Sequence, residues 1–511
     1  MKILLVDPPR KFWKVFLFNA ASNGLASIAG YLRAGGHDVA IADLYGLDSS
    51  WKELEDKVRE EKPEVVGISC GVIASSYDAI YCAMLVKMID PEIKTVGGGF
   101  MFTAIPEDFL GTGYFDYTVQ GEGEITFSEL LDSLSSKSNL KEVRGLAYLE
   151  GDKVVRTPVR PLIENLNTLP KPAWDLFPMK RYSIKPMGGN IAFALTNSRG
   201  CVNNCSFCSE AFLWRSNYRS FSGEWICENL EHLIKDYHKT VFIFGDNDFL
   251  FDRERLIEFC DEMEKRKIKA YFWIEAGVNS ILRNQDLLPR LRSVGGFNIQ
   301  VGLETIDPTV LNTYRKPQTL ELMKKAIKAV RDNGISITGL FIWGDWNDTL
   351  ESLKTGVKFI NKKCDFIAPS IINPFPGTDY CKICEEEGRI KIKNLWRYNQ
   401  HHILMPLKSM NMEEAQVAYE KNAYSPSVLL NMVYQALFSP FRPARMWAWE
   451  FIMLDLRFIN PKVRKPGGQK FEDYLEQTKR KMPDWKFPYP RETKIEEDSP
   501  DSTFDSKVGC Y

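Results

Sequence analysis

Cys201-Val202-Asn203-Asn204-Cys205-Ser206-Phe207-Cys208 places three thiols at C-x3-C-x2-C spacing, with no fourth cysteine close behind. Thiolates are the usual ligands of iron–sulfur clusters. Three of them hold three irons of a four-iron cluster and leave the fourth open to a small molecule. Structural zinc instead closes a tetrahedron with four Cys or His ligands. The nearest downstream candidates, Cys227 and His232, lack a paired C-x2-C. Three unrelated core cysteines are the bland alternative. Disulfides are disfavoured, because the cysteine count is 11, an odd number, in a long chain without a secretory signal.

Length and composition bound the setting. A chain of 511 residues is too long for one ordinary core and implies roughly two to four domains. Hydrophobic residues at 44% and charged residues at 26% are ordinary for a soluble globular protein. A net charge of −1 gives no global pull toward nucleic acid or anionic membrane. The start, Met1 to Arg10, is not a signal peptide, since its short apolar run meets Asp7 at once. No run reaches the roughly 18 apolar residues of a spanning helix. A reduced, cytoplasmic compartment is expected.

Upstream of the cysteines, strand patterns at 2–6, 38–42, 64–69, 94–96 and 115–119 alternate with helix patterns such as Gly24–Ala34. This predicts a doubly wound parallel sheet, with ligands at the carboxyl ends of its strands. Those ends carry Asp7-Pro8-Pro9, Ser69-Cys70-Gly71, Gly97-Gly98-Gly99 and Gly121-Glu122-Gly123-Glu124. Glycines there let a bulky ligand approach the backbone. No G-x-G-x-x-G follows the first strand, which weakens a nicotinamide reading. Residues 141–188 read as a linker, with a hairpin at Gly145–Val155 and a Pro-rich run from Leu169 to Trp174.

Six more strand patterns follow, at 191–196, 241–245, 270–274, 297–303, 335–342 and 366–372. The segments between them are amphipathic; Glu321–Asn333, for example, closes at Gly334. Six βα units predict a partial, open TIM-like barrel with its chemistry at the strand carboxyl ends. The cysteine triplet begins just past the first of these strands. Other strand ends carry Gly245-Asp246-Asn247-Asp248, Gly302-Leu303-Glu304-Thr305 and Pro374-Phe375-Pro376-Gly377-Thr378.

Thr196-Asn197-Ser198-Arg199-Gly200-Cys201, the triplet and Phe207 together resemble the signature of the radical S-adenosylmethionine (SAM) enzymes, in the form found beside cobalamin-binding domains. Val202 departs from the proline that these relatives often carry and removes no ligand. The resemblance covers roughly residues 1–390. It is strengthened by Gly97-Gly98-Gly99, Pro106-Glu107 and Gly121-Glu122-Gly123-Glu124. It implies that Cys201, Cys205 and Cys208 bind a [4Fe–4S] cluster, and that Phe207, Asp246, Glu304 and Pro376 face SAM. Cobalamin is expected beside Asp7, Pro8, Ser69, Gly97, Gly98, Gly121 and Glu122. The D-x-H-x-x-G motif that often supplies a cobalt ligand is absent, and His37 reads as a turn residue. The cobalamin would then lack a histidine on its lower face, or the domain is a relic without cofactor.

In that family a 5′-deoxyadenosyl radical removes hydrogen from an unactivated carbon, and methylcobalamin donates the methyl group. Methyl transfer to a small-molecule substrate is therefore the first expectation, with an external flavodoxin- or ferredoxin-like reductant. The rival is the radical ring closure or oxidation of anaerobic tetrapyrrole cyclases. Methylthiolation of transfer RNA is disfavoured, since residues 1–140 hold only Cys70 and Cys82. A non-catalytic iron–sulfur carrier would close its cluster with four cysteines, and no nucleic acid is expected as partner.

Cys381 and Cys384 form a lone C-x2-C at a helix start, and His401-His402 a lone pair; both read as packing rather than ligation. Residues 438–465 mix aromatic and basic side chains. They read as a helical cap on the barrel, with an interfacial helix making peripheral membrane contact, or a lid over an apolar substrate, as the alternatives. The expected fold class is α/β. Its domains are 1–140 cobalamin-binding, 141–188 linker, 189–395 radical SAM core, 396–487 helical, and 488–511 a disordered tail.

Overall fold

In the computed structural model the described residues are 1–9, 21–45, 49–182, 191–423, 425–439, 444–445, 448–449, 452 and 470–489. They fall into two compact units. The first takes its residues from 1–182, 393–399 and 466–494, the second from 183–392 and 400–465. The C-terminal stretch is thus shared between the units.

The first unit is built on β1 (Lys2–Asp7), β2 (Asp38–Asp43), β3 (Val65–Ser69), β4 (Lys94–Gly98) and β5 (Tyr117–Val119). These pair in parallel in the order β2-β1-β3-β4-β5. Ile3 to Val6 are buried on both faces, as a central parallel strand requires. The hairpin read as part of the linker becomes β6 (Leu146–Glu150) and β7 (Lys153–Arg156) and extends this sheet antiparallel beyond β5. Leu146 and Ala147, on opposite faces of β6, are both buried, which anchors it to the sheet.

The helix Ser76–Ile89 is buried from Ser76 to Val86, because later segments cover it. Tyr81 stacks on Phe471 at 4.6 Å, and Trp51 meets the same ring edge-on at 4.9 Å. Each such buried ring contributes about 2–3 kcal/mol. Arg480 grips Glu55 through two contacts of 2.7 Å, and Tyr474 donates to the same carboxylate. Arg480 therefore holds the Glu55 carboxyl well below its usual range. The Tyr77 hydroxyl donates to Tyr489 O and accepts from the Leu395 N–H. Of the tail expected to be disordered, residues 490–511 lie outside the described residues, as do most of 438–465, residues 183–188 of the linker and residues 189–190 of the expected core.

The second unit contains β8 (Ile191–Leu195), the short β9 (Ser198–Arg199) and β10 (Arg219–Ser220), then β11 (Lys239–Phe244), β12 (Tyr271–Ala276), β13 (Gly296–Glu304), β14 (Ser336–Trp343) and β15 (Phe366–Ile371). Six of these form one open parallel sheet in the order β15-β14-β13-β12-β11-β8. All six strand expectations are met within a few residues. The connecting helices Gly223–Tyr237, Arg253–Lys265, Leu320–Asp332 and Leu350–Lys363 start at Ser222, Asp252, Thr319 and Thr349. Each of these side chains accepts a backbone N–H of the first helical turn, the sequence signal for a helix start. No helix among the described residues is long and apolar enough to cross a membrane.

Candidate functional site

The cysteine loop is closed at its base by β9 pairing antiparallel with β10, a two-residue ladder with no clear sequence signal. Its middle is clamped from two sides. Ser206 donates its N–H to Tyr314 O (3.1 Å) and its hydroxyl to Thr313 O (2.7 Å). Its carbonyl accepts from the Tyr380 N–H (2.9 Å) at the start of the helix Asp379–Glu386. Phe207 packs edge-on against Tyr314 at 4.8 Å. Cys205 is buried, while Cys201 and Cys208 are partly exposed. Burial pushes all three thiols up, Cys208 to about 12; the charge of Lys316 opposes this at Cys201 and Cys205.

Three thiols with no fourth ligand nearby in sequence are the donor set of a cluster with one open iron rather than of a closed structural zinc. Tetrahedral zinc needs sulfurs about 3.8 Å apart around one centre. No group of three or more His, Cys, Asp and Glu side chains among the described residues is arranged to hold one metal ion. A cluster takes each thiolate on a different iron and needs no such convergence.

Charged groups from three strand ends surround the loop. Glu304 ends β13 at φ +59°, a left-handed conformation costing a non-glycine residue roughly 1–2 kcal/mol. The β13–β14 register slips between Gly302 and Glu304, a bulge that re-aims the side chain. Glu304 accepts from Lys316 Nζ at 2.8 Å. Burial opposes the charge on Lys316, but Glu304 and the nearby Cys205 hold its ammonium above the usual lysine range. Gln318 donates to Gly302 O and Leu303 O, fixing the Lys316 segment against the strand end.

Asp246, expected to face a ligand, is fully buried and already occupied. Its carboxylate accepts from Asn197 Nδ2 (3.0 Å) and the Ser198 hydroxyl, and lies 3.7 Å from Arg255 Nη1. It therefore fixes the backbone leading into the cysteine loop. Asp248, two residues on, is buried as well, but its carboxylate is less fully hydrogen-bonded. One oxygen accepts from the Ser280 hydroxyl at 2.6 Å, and the other has no hydrogen-bond partner among the described residues. Asp248 lies within electrostatic range of Cys201 and Lys316. Glu275, at the end of β12, accepts from Gln300 Nε2 at 2.8 Å; burial and the charges of Glu304 and Asp246 push it up to about 8. Sequence reading did not single out Asp248, Lys316 or Glu275. The acid run Asp246-Asn247-Asp248 was visible without saying which carboxylate is tied, and Lys316 lies twelve residues beyond Glu304 with no motif linking them.

Pro376 is buried in the turn that leads to Thr378, which caps the helix Asp379–Glu386. Cys384 belongs to an apolar cluster with Val310, Tyr314, Ile342, Ile372, Tyr380 and Met405, and Cys381 is also buried, in keeping with packing. His402 is buried; burial pushes the neighbouring His401 down to about 4, so its imidazole is neutral at physiological pH.

In the first unit, the order β2-β1-β3-β4-β5 puts the topological switch between β1 and β3. Asp7 and Ser69 end these two strands, and the Ser69 hydroxyl donates to Asp7 at 3.1 Å. Pro8 is buried next to it. A Cβ on Gly98 would enter open space, and Gly121, at φ +74°, is likewise open. These leave room at the carboxyl ends for a bulky ligand. Gly97 and Glu122 are in contact with the protein itself: a Cβ on Gly97 would lie 2.1 Å from the Phe102 ring, and Glu122 accepts from the Ile163 N–H at 2.7 Å. His37 precedes β2, so the strand's length, about 20 Å, separates it from these ends. It is the one histidine within 1–182, 393–399 and 466–494, so this unit offers no histidine to a ligand there.

Two family models match the chain, a B12-binding domain over residues 14–131 and the radical SAM superfamily over 197–360. An uncharacterized methyltransferase of Pyrococcus horikoshii is 30% identical over 443 residues, covering 85% of this chain and 95% of the relative. The anaerobic magnesium-protoporphyrin IX monomethyl ester cyclase of Rubrivivax gelatinosus is 32% identical over 383 residues, 73% of this chain and 68% of the relative. Among solved structures, the radical SAM methyltransferase TsrM of Kitasatospora setae, with cobalamin and a [4Fe–4S] cluster bound, superposes with TM-score 0.64. The two are 18% identical, and the match covers 76% of each chain.

Proposed function

Because the chain belongs to the cobalamin-binding radical SAM enzymes, we propose that it transfers a methyl group to an unactivated carbon of a small-molecule substrate. When bound, the cluster supplies the electron that cleaves SAM to a 5′-deoxyadenosyl radical, and cobalamin carries the methyl group that the substrate receives. The chain's own part is to hold, orient and exclude. Cys201, Cys205 and Cys208 are assigned to three irons, and the clamp on Ser206 fixes their loop. The Lys316 ammonium suits the SAM carboxylate, and the spare oxygen of Asp248 suits its amino group. Glu304, Phe207 and Pro376 are proposed to line the nucleoside side, with Asp246 as a positioning residue. Asp7, Ser69, Gly98 and Gly121 are proposed to cradle cobalamin without a histidine ligand to cobalt.

The observation that carries methyl transfer over ring closure is the extent of the match, which takes in 95% of the methyltransferase relative and 68% of the cyclase. An external one-electron donor is proposed, and a reducing cytoplasm fits the ten free cysteines among the described residues.

Anaerobic turnover with SAM labelled in its methyl carbon, and apolar cell extract as the substrate pool, tests the reaction. Labelled methyl should appear in a product alongside 5′-deoxyadenosine. 5′-Deoxyadenosine without any labelled product would instead indicate cyclisation or oxidation.

A contrast between two neighbouring glycines tests the cobalamin assignment. Gly98→Leu fills open space, so it should leave the melting temperature within about 2 °C. It should weaken hydroxocobalamin binding, read by absorbance titration, about tenfold or more. Gly97→Ala meets the Phe102 ring and should cost about 1–3 kcal/mol of stability. Equal cobalamin affinity in Gly98→Leu and wild type would refute the cradle.

A further inference from the structure

Successive side chains of β12, β13 and β14 point to opposite faces of the six-stranded sheet. The register aligns Ala276, Val301 and Gly339 on one face, and Glu275, Gln300 and Thr338 on the other. The first face is covered by helices: a Cβ on Gly339 would lie 2.6 Å from Ile360 of the helix Leu350–Lys363. Glu275 and Gln300 therefore face the lumen of the open barrel.

The lumen is layered there. Asn298, Ser336 and Thr338 are buried and form a closed floor. Thr338 donates to Asn298 Oδ1 (3.1 Å), Asn298 Nδ2 to the Ser336 hydroxyl (2.9 Å), and that hydroxyl to Phe297 O (2.7 Å). The upper layer is the Glu304–Lys316 pair, which lies over Gly302. A Cβ on Gly302 would sit 2.5 Å from Glu304 Oε1 and 2.9 Å from Lys316 Nζ. Gln300, two residues before Gly302 on the same face, and Glu275 beside it make the layer between, about 7 Å below Gly302 along the strand. This middle layer is not closed. Gln300 Nε2 donates to one Glu275 oxygen at 2.8 Å. The other Glu275 oxygen and Gln300 Oε1 have no hydrogen-bond partner among the described residues, and both side chains are only partly buried.

A carboxyl facing a lumen among other acids is costly unless a partner meets it. The charged groups that face it are Glu304 at the end of β13, Asp246 past β11, Glu210 on the helix Ser209–Leu213, and Lys316. Burial and the three acids, against the opposing Lys316, keep Glu275 in its acid form up to about pH 8. At neutral pH the pair offers an O–H donor from Glu275 and a carbonyl acceptor from Gln300. A hydroxyl or a carboxamide satisfies both. A hydrocarbon would leave both unpaired, and an anion would meet Glu304 and Asp246 as well.

We propose that Glu275 and Gln300 bind an uncharged hydroxyl or carboxamide of the substrate, one layer below the residues assigned to SAM. This rests on the radical reading of the same unit, not on methyl transfer in particular. It makes the pair a specificity device: a substrate without that group leaves two enclosed polar groups unpaired and is rejected.

The test uses reconstituted full-length holoenzyme with methyl-labelled SAM, and extract of the source organism as the substrate pool. The readout is the increase in 5′-deoxyadenosine that extract produces. Glu275→Leu should cut that increase about tenfold or more, yet bind SAM within about threefold of wild type in equilibrium dialysis. Glu275→Gln keeps an uncharged donor of the same size and should retain at least about a third of the increase at neutral pH. Wild type should lose the increase as pH rises through about 8, where the acid form ionises, while Glu275→Gln stays level. Should Glu275→Leu fold poorly, this pH contrast decides. The proposal is overturned if Glu275→Leu responds to extract like wild type, or if it loses SAM affinity about tenfold, which would make the pair a SAM contact. It is equally overturned if Glu275→Gln is as impaired as Glu275→Leu, which would require a charged or proton-transferring carboxylate, or if wild type cleaves SAM but gains nothing from extract. Wild type that forms no 5′-deoxyadenosine at all would refute the radical reading instead. A gain without labelled product would refute methyl transfer alone.

Discussion

Cys205→Ala is expected to bring 5′-deoxyadenosine formation under anaerobic reduction below about a hundredth of wild type, a loss of at least ~2.7 kcal/mol in barrier terms. Among the three thiols Cys205 is the most buried, at 6% exposure, and it lies one residue before the clamped Ser206. Its position is therefore set by the fold, and no neighbouring thiol can swing in to replace it. Cys381 and Cys384 sit on the helix whose first turn receives the Ser206 carbonyl, but Cys384 is packed among apolar side chains and Cys381 is buried with its thiol against Glu385. Cys381→Ala is the matched control. It should retain iron and activity and cost about 1 kcal/mol of stability for its small cavity. Iron content per chain and 5′-deoxyadenosine are the readouts. Full activity in Cys205→Ala would refute the radical assignment, whereas iron loss in both variants would point to a second metal site in the Cys381 segment.

Some of this was written locally in the sequence, and some was not. The strands could be read because each is a short apolar run bounded by Gly, Asp or Asn, and the helices because Ser222, Asp252, Thr319 and Thr349 mark their starts. The cysteine spacing is local too. What closes the loop is not: Arg219-Ser220 pairs with Ser198-Arg199 across the whole loop, and the Ser206 hydroxyl finds Thr313 O from 107 residues away. The Glu55–Arg480 pair spans 425 residues, so no pattern in 470–489 foretells that this polar segment packs on the first unit. Three of the expected site residues, Gly97, Glu122 and Asp246, make close packing or hydrogen-bond contacts within the protein itself. A strand-end glycine or acid reads the same in sequence whether its neighbour is a ligand, a phenylalanine ring or a backbone amide. Only the space around it separates Gly98 from Gly97, and only hydrogen-bond occupancy separates Asp248 from Asp246.

Asp246→Ala puts that last distinction to a quantitative test. Asp246 is fully buried, and Arg255 beside it is 4% exposed, with its Nη2 donating to Phe249 O and its guanidinium over the Phe249 ring at 4.2 Å. Removing the carboxylate leaves a buried arginine without its counter-charge and frees Asn197 and Ser198. The expected cost is about 3–5 kcal/mol, a fall in melting temperature of roughly 10 °C. Asp246→Asn keeps acceptor capacity but loses the charge, so it should fall between the two. If Asp246 acts by positioning, the Asn variant should bind SAM within about threefold of wild type below its melting temperature, as measured by equilibrium dialysis. A direct contact predicts the reverse: near-normal melting with SAM affinity reduced about tenfold or more. The double variant Asp246→Leu/Arg255→Met sharpens the contrast. Replacing both members of a buried ion pair by apolar groups removes the uncompensated charge, so this variant should melt higher than Asp246→Ala, with a coupling of about 2 kcal/mol or more. Additive losses would mean that the pair does not hold the approach to the cysteine loop, and Asp246 would return as a candidate for direct contact with SAM.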